Sequence, residues 1–128
     1  GLVGNTGTLG ARLEGVWALK LTVNNGGVNY VRRGDARLEL HADGTALSLE
    51  PGGPAGLVFA EKEGGWRVEA GGRELCLSST TTRWGFLAVG GAAQERLQAL
   101  VLDDKMLATR RSLSGKAFAY RLYMRQDQ

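Results

Sequence analysis

At 128 residues, 43% hydrophobic and 23% charged, the chain is long enough for one domain and no more, and apolar enough to build a core. Its 20 glycines follow no period, which excludes collagen and argues against a helix bundle, since each glycine inside a helix costs roughly 1 kcal/mol relative to alanine. The net charge of +3 comes from dispersed basic residues and not from a stripe with interleaved aromatics, so no nucleic-acid partner is indicated. No apolar run approaches the ~18 residues of a membrane span.

Residues 1–12 (GLVGNTGTLGAR) are Gly-rich and aperiodic and read as a flexible arm ahead of a domain over 13–128. From Val16 to Val23 apolar and polar residues alternate, with Trp17, Leu19, Leu21 and Val23 on one face, until Asn24-Asn25-Gly26-Gly27 breaks the run. Ala36–His41 alternates again, with Leu38 and Leu40 opposite Arg37, Glu39 and His41. Asp43-Gly44 then predicts a hairpin, because such a turn needs positive φ. Its partner strand is Thr45–Glu50, with Leu47 and Leu49 expected inward. The segment Pro51-Gly52-Gly53-Pro54 suits neither a helix nor a central strand.

The following runs are Leu57–Lys62, Trp66–Ala70, Arg73–Ser79 and Trp84–Val89, with turns expected at Gly64-Gly65, Gly71-Gly72 and Gly90-Gly91 and a solvated loop or edge at Thr80–Thr82. The last third reads as Arg96–Leu102, Lys105–Arg111 and Ala117–Arg125. Ala92–Leu102 contains good helix formers with helical spacing at Leu97, Leu100 and Val101; it is taken as a strand because it runs through Asp103-Asp104 into another alternating segment. Nine or ten short antiparallel strands joined by tight turns predict an all-β fold, a single antiparallel up-and-down β-barrel of about 8–10 strands, because closure removes exposed edges. A sandwich is the competing architecture.

Gly15-Val16-Trp17 resembles the Gly-x-Trp opening of the calycins: lipocalins, intracellular fatty-acid-binding proteins and, more distantly, avidins. The resemblance implies a lipocalin-like barrel closed at one end by Trp17, with a late arginine packed over the indole; Arg110, Arg111, Arg121 and Arg125 are the candidates. Arg121-Leu122-Tyr123 resembles the Arg-x-Tyr pair with which fatty-acid-binding proteins hold a ligand carboxylate. Against that, Phe118, Tyr120, Leu122 and Met124 form the more apolar face of the last strand, which places Arg121 and Tyr123 toward solvent.

Trp17, Trp66, Trp84 and Phe86 are candidate ligand-binding residues as lining for an apolar pocket, and Arg121 and Tyr123 join them on the resemblance alone; alternating aromatics are equally the material of a core. No catalytic constellation, metal site or cofactor is indicated: the one cysteine, Cys76, and the one histidine, His41 beside Asp43, lack partners placed by the sequence. The expected function is a non-catalytic binding module for a small apolar or amphipathic ligand such as a lipid, fatty acid or pigment. The alternative is an accessory subunit docked on a larger organellar protein assembly, for instance at a photosynthetic membrane. A start at Gly1 fits a mature form that has lost a targeting peptide, or a trimmed chain.

Overall fold

The structure is a computed structural model that describes residues 12–24, 27–31, 36–52, 58–69, 74–84, 87–112 and 117–126. Nine strands form one antiparallel sheet: β1 (Gly15–Asn24), β2 (Gly27–Tyr30), β3 (Arg37–Leu40), β4 (Thr45–Gly52), β5 (Val58–Glu69), β6 (Glu74–Trp84), β7 (Leu87–Leu102), β8 (Met106–Ser112) and β9 (Phe118–Arg125). Strands β3 to β9 follow one another in space as in sequence, and β9 returns to pair with β1. Eight strands thus close an up-and-down barrel. The ninth, β2, extends the edge of β1 beyond β3: β3 pairs Gly15–Ala18 and β2 pairs Leu21–Asn24.

Two expected turns and one expected loop or edge segment lie inside strands. β5 runs unbroken through Gly64-Gly65, β6 through Thr80–Thr82 and β7 through Gly90-Gly91. The cause at Gly64 is close approach: a Cβ there would stand 1.7 Å from the carbonyl oxygen of Ser78, so only glycine lets β5 and β6 pair at the register shift between Glu63 and Gly64. Thr80 and Gly91–Ala92 fall where the β6–β7 ladder shifts register, so the turn signals there mark a bulge. The segment from Ala92 to Leu102 is strand, and its period of two puts buried Leu97 opposite buried Leu75. The segment β2 had no counterpart among the expected strands.

The core occupies one end of the barrel. Leu13, Trp17, Leu19, Leu38, Leu40, Trp66, Leu75, Leu97, Leu107 and Tyr123 form one buried cluster. Leu13, on a helical turn at residues 12–13, plugs that end, and its carbonyl accepts a 2.8 Å hydrogen bond from Trp17 Nε1. Residues 1–11 of the expected arm lie outside the described residues.

Candidate functional site

The interior beyond the apolar plug is built by a change of face. In the β3–β4 hairpin His41 pairs with Thr45, its N–H donating to the Thr45 carbonyl at 2.9 Å. Gly44 takes φ +91° and donates to the His41 carbonyl at 3.0 Å. The Asp43 carboxylate accepts from the Thr45 amide (2.9 Å) and hydroxyl (2.7 Å), and these bonds hold its pKa below the ordinary value. The loop therefore has three residues instead of two. A two-residue turn at Asp43-Gly44 would have set Leu47 and Leu49 facing inward. One extra residue reverses every side chain of β4, so Leu40 opposes Ala46 and Leu38 opposes Ser48. Ala46, Ser48 and Glu50 face the lumen, correcting the expectation for Leu47 and Leu49.

β9 is also reversed relative to its apolar pattern. Leu107 pairs with Tyr123 and Thr109 with Arg121, so Tyr123 and Arg121 face inward. Phe118 and Tyr120, expected inside, are each 36% exposed on the outer surface. The inward turn of Arg121 is sustained by charge. Its Nη2 lies 3.3 Å from Glu50 Oε2 and its Nη1 3.7 Å from Glu95 Oε1. Glu95 also pairs with Arg111 at 2.5 Å, and Lys62 reaches Glu50 at 4.0 Å.

These five residues form a chain of alternating sign across the lumen: Lys62, Glu50, Arg121, Glu95, Arg111. It ends in a cation on both sides and carries one net positive charge. Burial disfavours the charge on Arg121, but Tyr123, Glu50 and Glu95 outweigh it and raise its pKa. Burial likewise raises the pKa of Tyr123, against the pull of Arg121.

Above this chain lies a cavity of about 920 Å³. Leu38, Ala46 and Leu77 supply apolar wall, Ser48 and Ser79 hydroxyls, and Glu50, Lys62, Glu95 and Arg111 charge. Lys62 and Glu95 went unnoticed in the sequence, although each sits two or four residues along its strand from a core residue, Trp66 and Leu97. Period-two stepping from those anchors points both of them inward.

The candidate residues from the sequence are dispersed. Trp17 is fully buried, Trp66 lies in the core with its Nε1 donating to the His41 carbonyl at 2.8 Å, and Tyr123 belongs to the same cluster. Arg121 stands behind the two glutamates. None of these four lines the cavity. The Trp84 side chain and Phe86 lie outside the described residues. Of the four arginines left open, Arg125 is the one over Trp17, with Cζ 4.2 Å from the ring centroid.

On the outer wall, Glu69, Glu74 and Cys76 bring their ligand atoms within 4.8 Å of one another. Arg96 Nη1 sits among them, 2.9 Å and 2.5 Å from the two carboxylates and 3.6 Å from sulfur. Burial and Glu69 raise the Cys76 pKa, so the thiol stays protonated and quiet. His41 is exposed, 3.3 Å from Glu39. Among the described residues no helix is long and apolar enough to cross a membrane. No protein-family model, curated protein or solved structure matches the chain.

Proposed function

We propose that the protein is a non-catalytic, calycin-like barrel that encloses one small amphipathic molecule. The apolar part of that molecule lies against Leu38, Ala46 and Leu77, and its head, an anion, meets the cationic ends of the charge chain at Lys62 or Arg111. The observation that carries this reading is a cavity of about 920 Å³ with both kinds of wall, at the upper end of the ~300–1,000 Å³ typical of ligand pockets. The sign of the head follows from unfilled capacity. Glu50 and Glu95 each already hold a cation, whereas Arg111 Nε is buried with no partner and Lys62 finds Glu50 only at 4.0 Å. A single negative charge would neutralise the chain.

Titration with a fluorescent medium-chain carboxylic acid and with its neutral alcohol tests the proposal. Saturable one-to-one binding is expected, with the acid favoured by about tenfold, the order of one charge-assisted hydrogen bond. Lys62→Ala or Arg111→Met should narrow that preference. Absence of saturable binding for both molecules would refute the reading.

The second reading, an accessory subunit, is favoured by a different observation. The outer face of β2–β1–β9 exposes Val28, Tyr30, Tyr120 and Phe118, with Tyr30 at 73%, and exposed apolar surface of that kind is commonly covered by a partner. Co-migration with a large complex, lost on Tyr30→Lys, would support it.

A further inference from the structure

The wall of the barrel is incomplete between β7 and β8. β6 pairs with β7 along its length, from Leu87 to Gln98, whereas β8 pairs with β7 only from Gln98 to Leu102. Above the Gln98–Arg110 pair, β7 continues for eleven residues with no strand on that edge among the described residues. The cavity is lined there from both margins. Ala93 and Glu95 contribute from the inner face of β7 and Arg111 from that of β8; their strand neighbours Gln94, Arg96, Gln98, Arg110 and Ser112 also line it, as do Glu74 and Ser78 on the paired β6 side. The lining thus reaches the unpaired edge of β7 and the end of β8 that faces it. Two contacts bridge the parting: Glu95 to Arg111 from the inside, and Arg110 to Gln98 from the outside.

We infer that the mouth of the cavity is lateral, between β7 and β8, and that an amphipathic anion enters sideways past Arg96, Arg110 and Arg111. The Glu95–Arg111 pair is the latch that the entering molecule parts. This rests on the binding reading for the nature of the traveller, but the existence of the mouth does not. Arg110 and Arg111 on its lips attract an anion toward the opening, Arg96 being already held by Glu69 and Glu74, and opening breaks side-chain contacts only, leaving every ladder hydrogen bond intact.

The test uses a thiol reporter inside the cavity, Ser48→Cys in a Cys76→Ser background, and follows its reaction with a neutral maleimide. Ala93→Trp adds bulk at the mouth, where Ala93 is exposed; Ala88→Trp adds the same bulk to β7 beyond it. Circular dichroism verifies that each variant folds. Severalfold slower labelling with Ala93→Trp and an unchanged rate with Ala88→Trp are expected, and Glu95→Gln should speed labelling. Equal rates for all three, or equal slowing by both tryptophans, would overturn the lateral mouth. The amphiphile titration stands apart from this result, so loss of the mouth and loss of the binding reading are separately visible.

Discussion

The guanidinium of Arg125 stacks over Trp17 because Gly15 leaves room for it. Gly15 has φ +135°, and a Cβ there would lie 2.5 Å from Arg125 Nη1. The guanidinium spends its donors on three carbonyls, those of Glu14 (2.8 Å), Arg12 (2.6 Å) and Asp104 (2.8 Å). First strand, last strand, β7–β8 turn and helical turn are thus tied at one point over a fully buried indole. Gly15→Ala should cost about 2 kcal/mol through strain and displacement of the arginine. Arg125→Ala should cost a similar amount, about 2 kcal/mol, through the cation–π contact and the lost bonds. Urea denaturation of the double variant should show less than the sum, because the alanine Cβ no longer meets a guanidinium.

How far the sequence shows all this depends on the strand. Around Trp17 the alternation and the apolar face agree for Trp17, Leu19, Leu38 and Leu40, but a register shift after Leu19 sets Leu21 and Val23 opposite Leu122 and Tyr120 on the outer face, and β2 had no signal. On β4 the apolar residues Leu47 and Leu49 misled, because facing is set by how many residues the turn contains, and Asp43-Gly44 fits a two-residue or a three-residue loop equally well. On β9 the apolar face lies outside because Arg121 is recovered by Glu50 and Glu95, partners 71 and 26 residues away along the chain that no local pattern reveals. Both reversals deliver charge to the same part of the lumen. The site was hidden where the rule of apolar residues inward fails.

The glycines divide into those that close approach requires and those that it does not. Gly64→Ala forces a Cβ into the Ser78 backbone and should cost about 3 kcal/mol or prevent folding. Gly90 has open space around its Cβ position, so Gly90→Ala should lie within about 0.5 kcal/mol of the parent or stabilise it. Thermal melts of the two single variants check the contrast.

Acid should weaken the outer wall between β5, β6 and β7. Arg67 and then Arg96 hold the Glu69 carboxylate at a pKa of about 2, against an ordinary value of 4.5. A depressed folded value stabilises above the unfolded pKa, and that contribution is lost as pH falls from about 4.5 to about 2. The carboxylate is partly open to solvent, so the effect is modest and salt-sensitive. Melting temperatures of the parent and Glu69→Gln should converge as pH falls through that window, and added salt should reduce their separation at neutral pH.

Tyr123 gives the opposite sign at the other end of the scale. Burial raises its pKa above the ordinary 10, so its contribution is complete below pH 10 and is lost as pH rises through the folded value. In a spectrophotometric titration one of the three tyrosines should ionise late, in step with unfolding. Tyr123→Phe should remove that late step.

The charge chain makes Arg121 more costly to remove alone than together with its partners. Its side chain is 14% exposed, with Glu50 at 20% and Glu95 at 16%. Arg121→Met leaves two poorly solvated carboxylates with one cation each, Lys62 for Glu50 and Arg111 for Glu95, and breaking one side of a buried pair costs about 3–5 kcal/mol where burial is complete. Residual solvent access lowers the expectation here to about 2–3 kcal/mol. Arg121→Met combined with Glu50→Gln and Glu95→Gln removes all three charges at once and should recover part of the loss, though Arg111 and Lys62 then lack their counter-ions. Denaturant midpoints of the single and triple variants decide the matter. A triple variant less stable than Arg121→Met would mean that the glutamates stabilise the barrel by contacts other than those with Arg121.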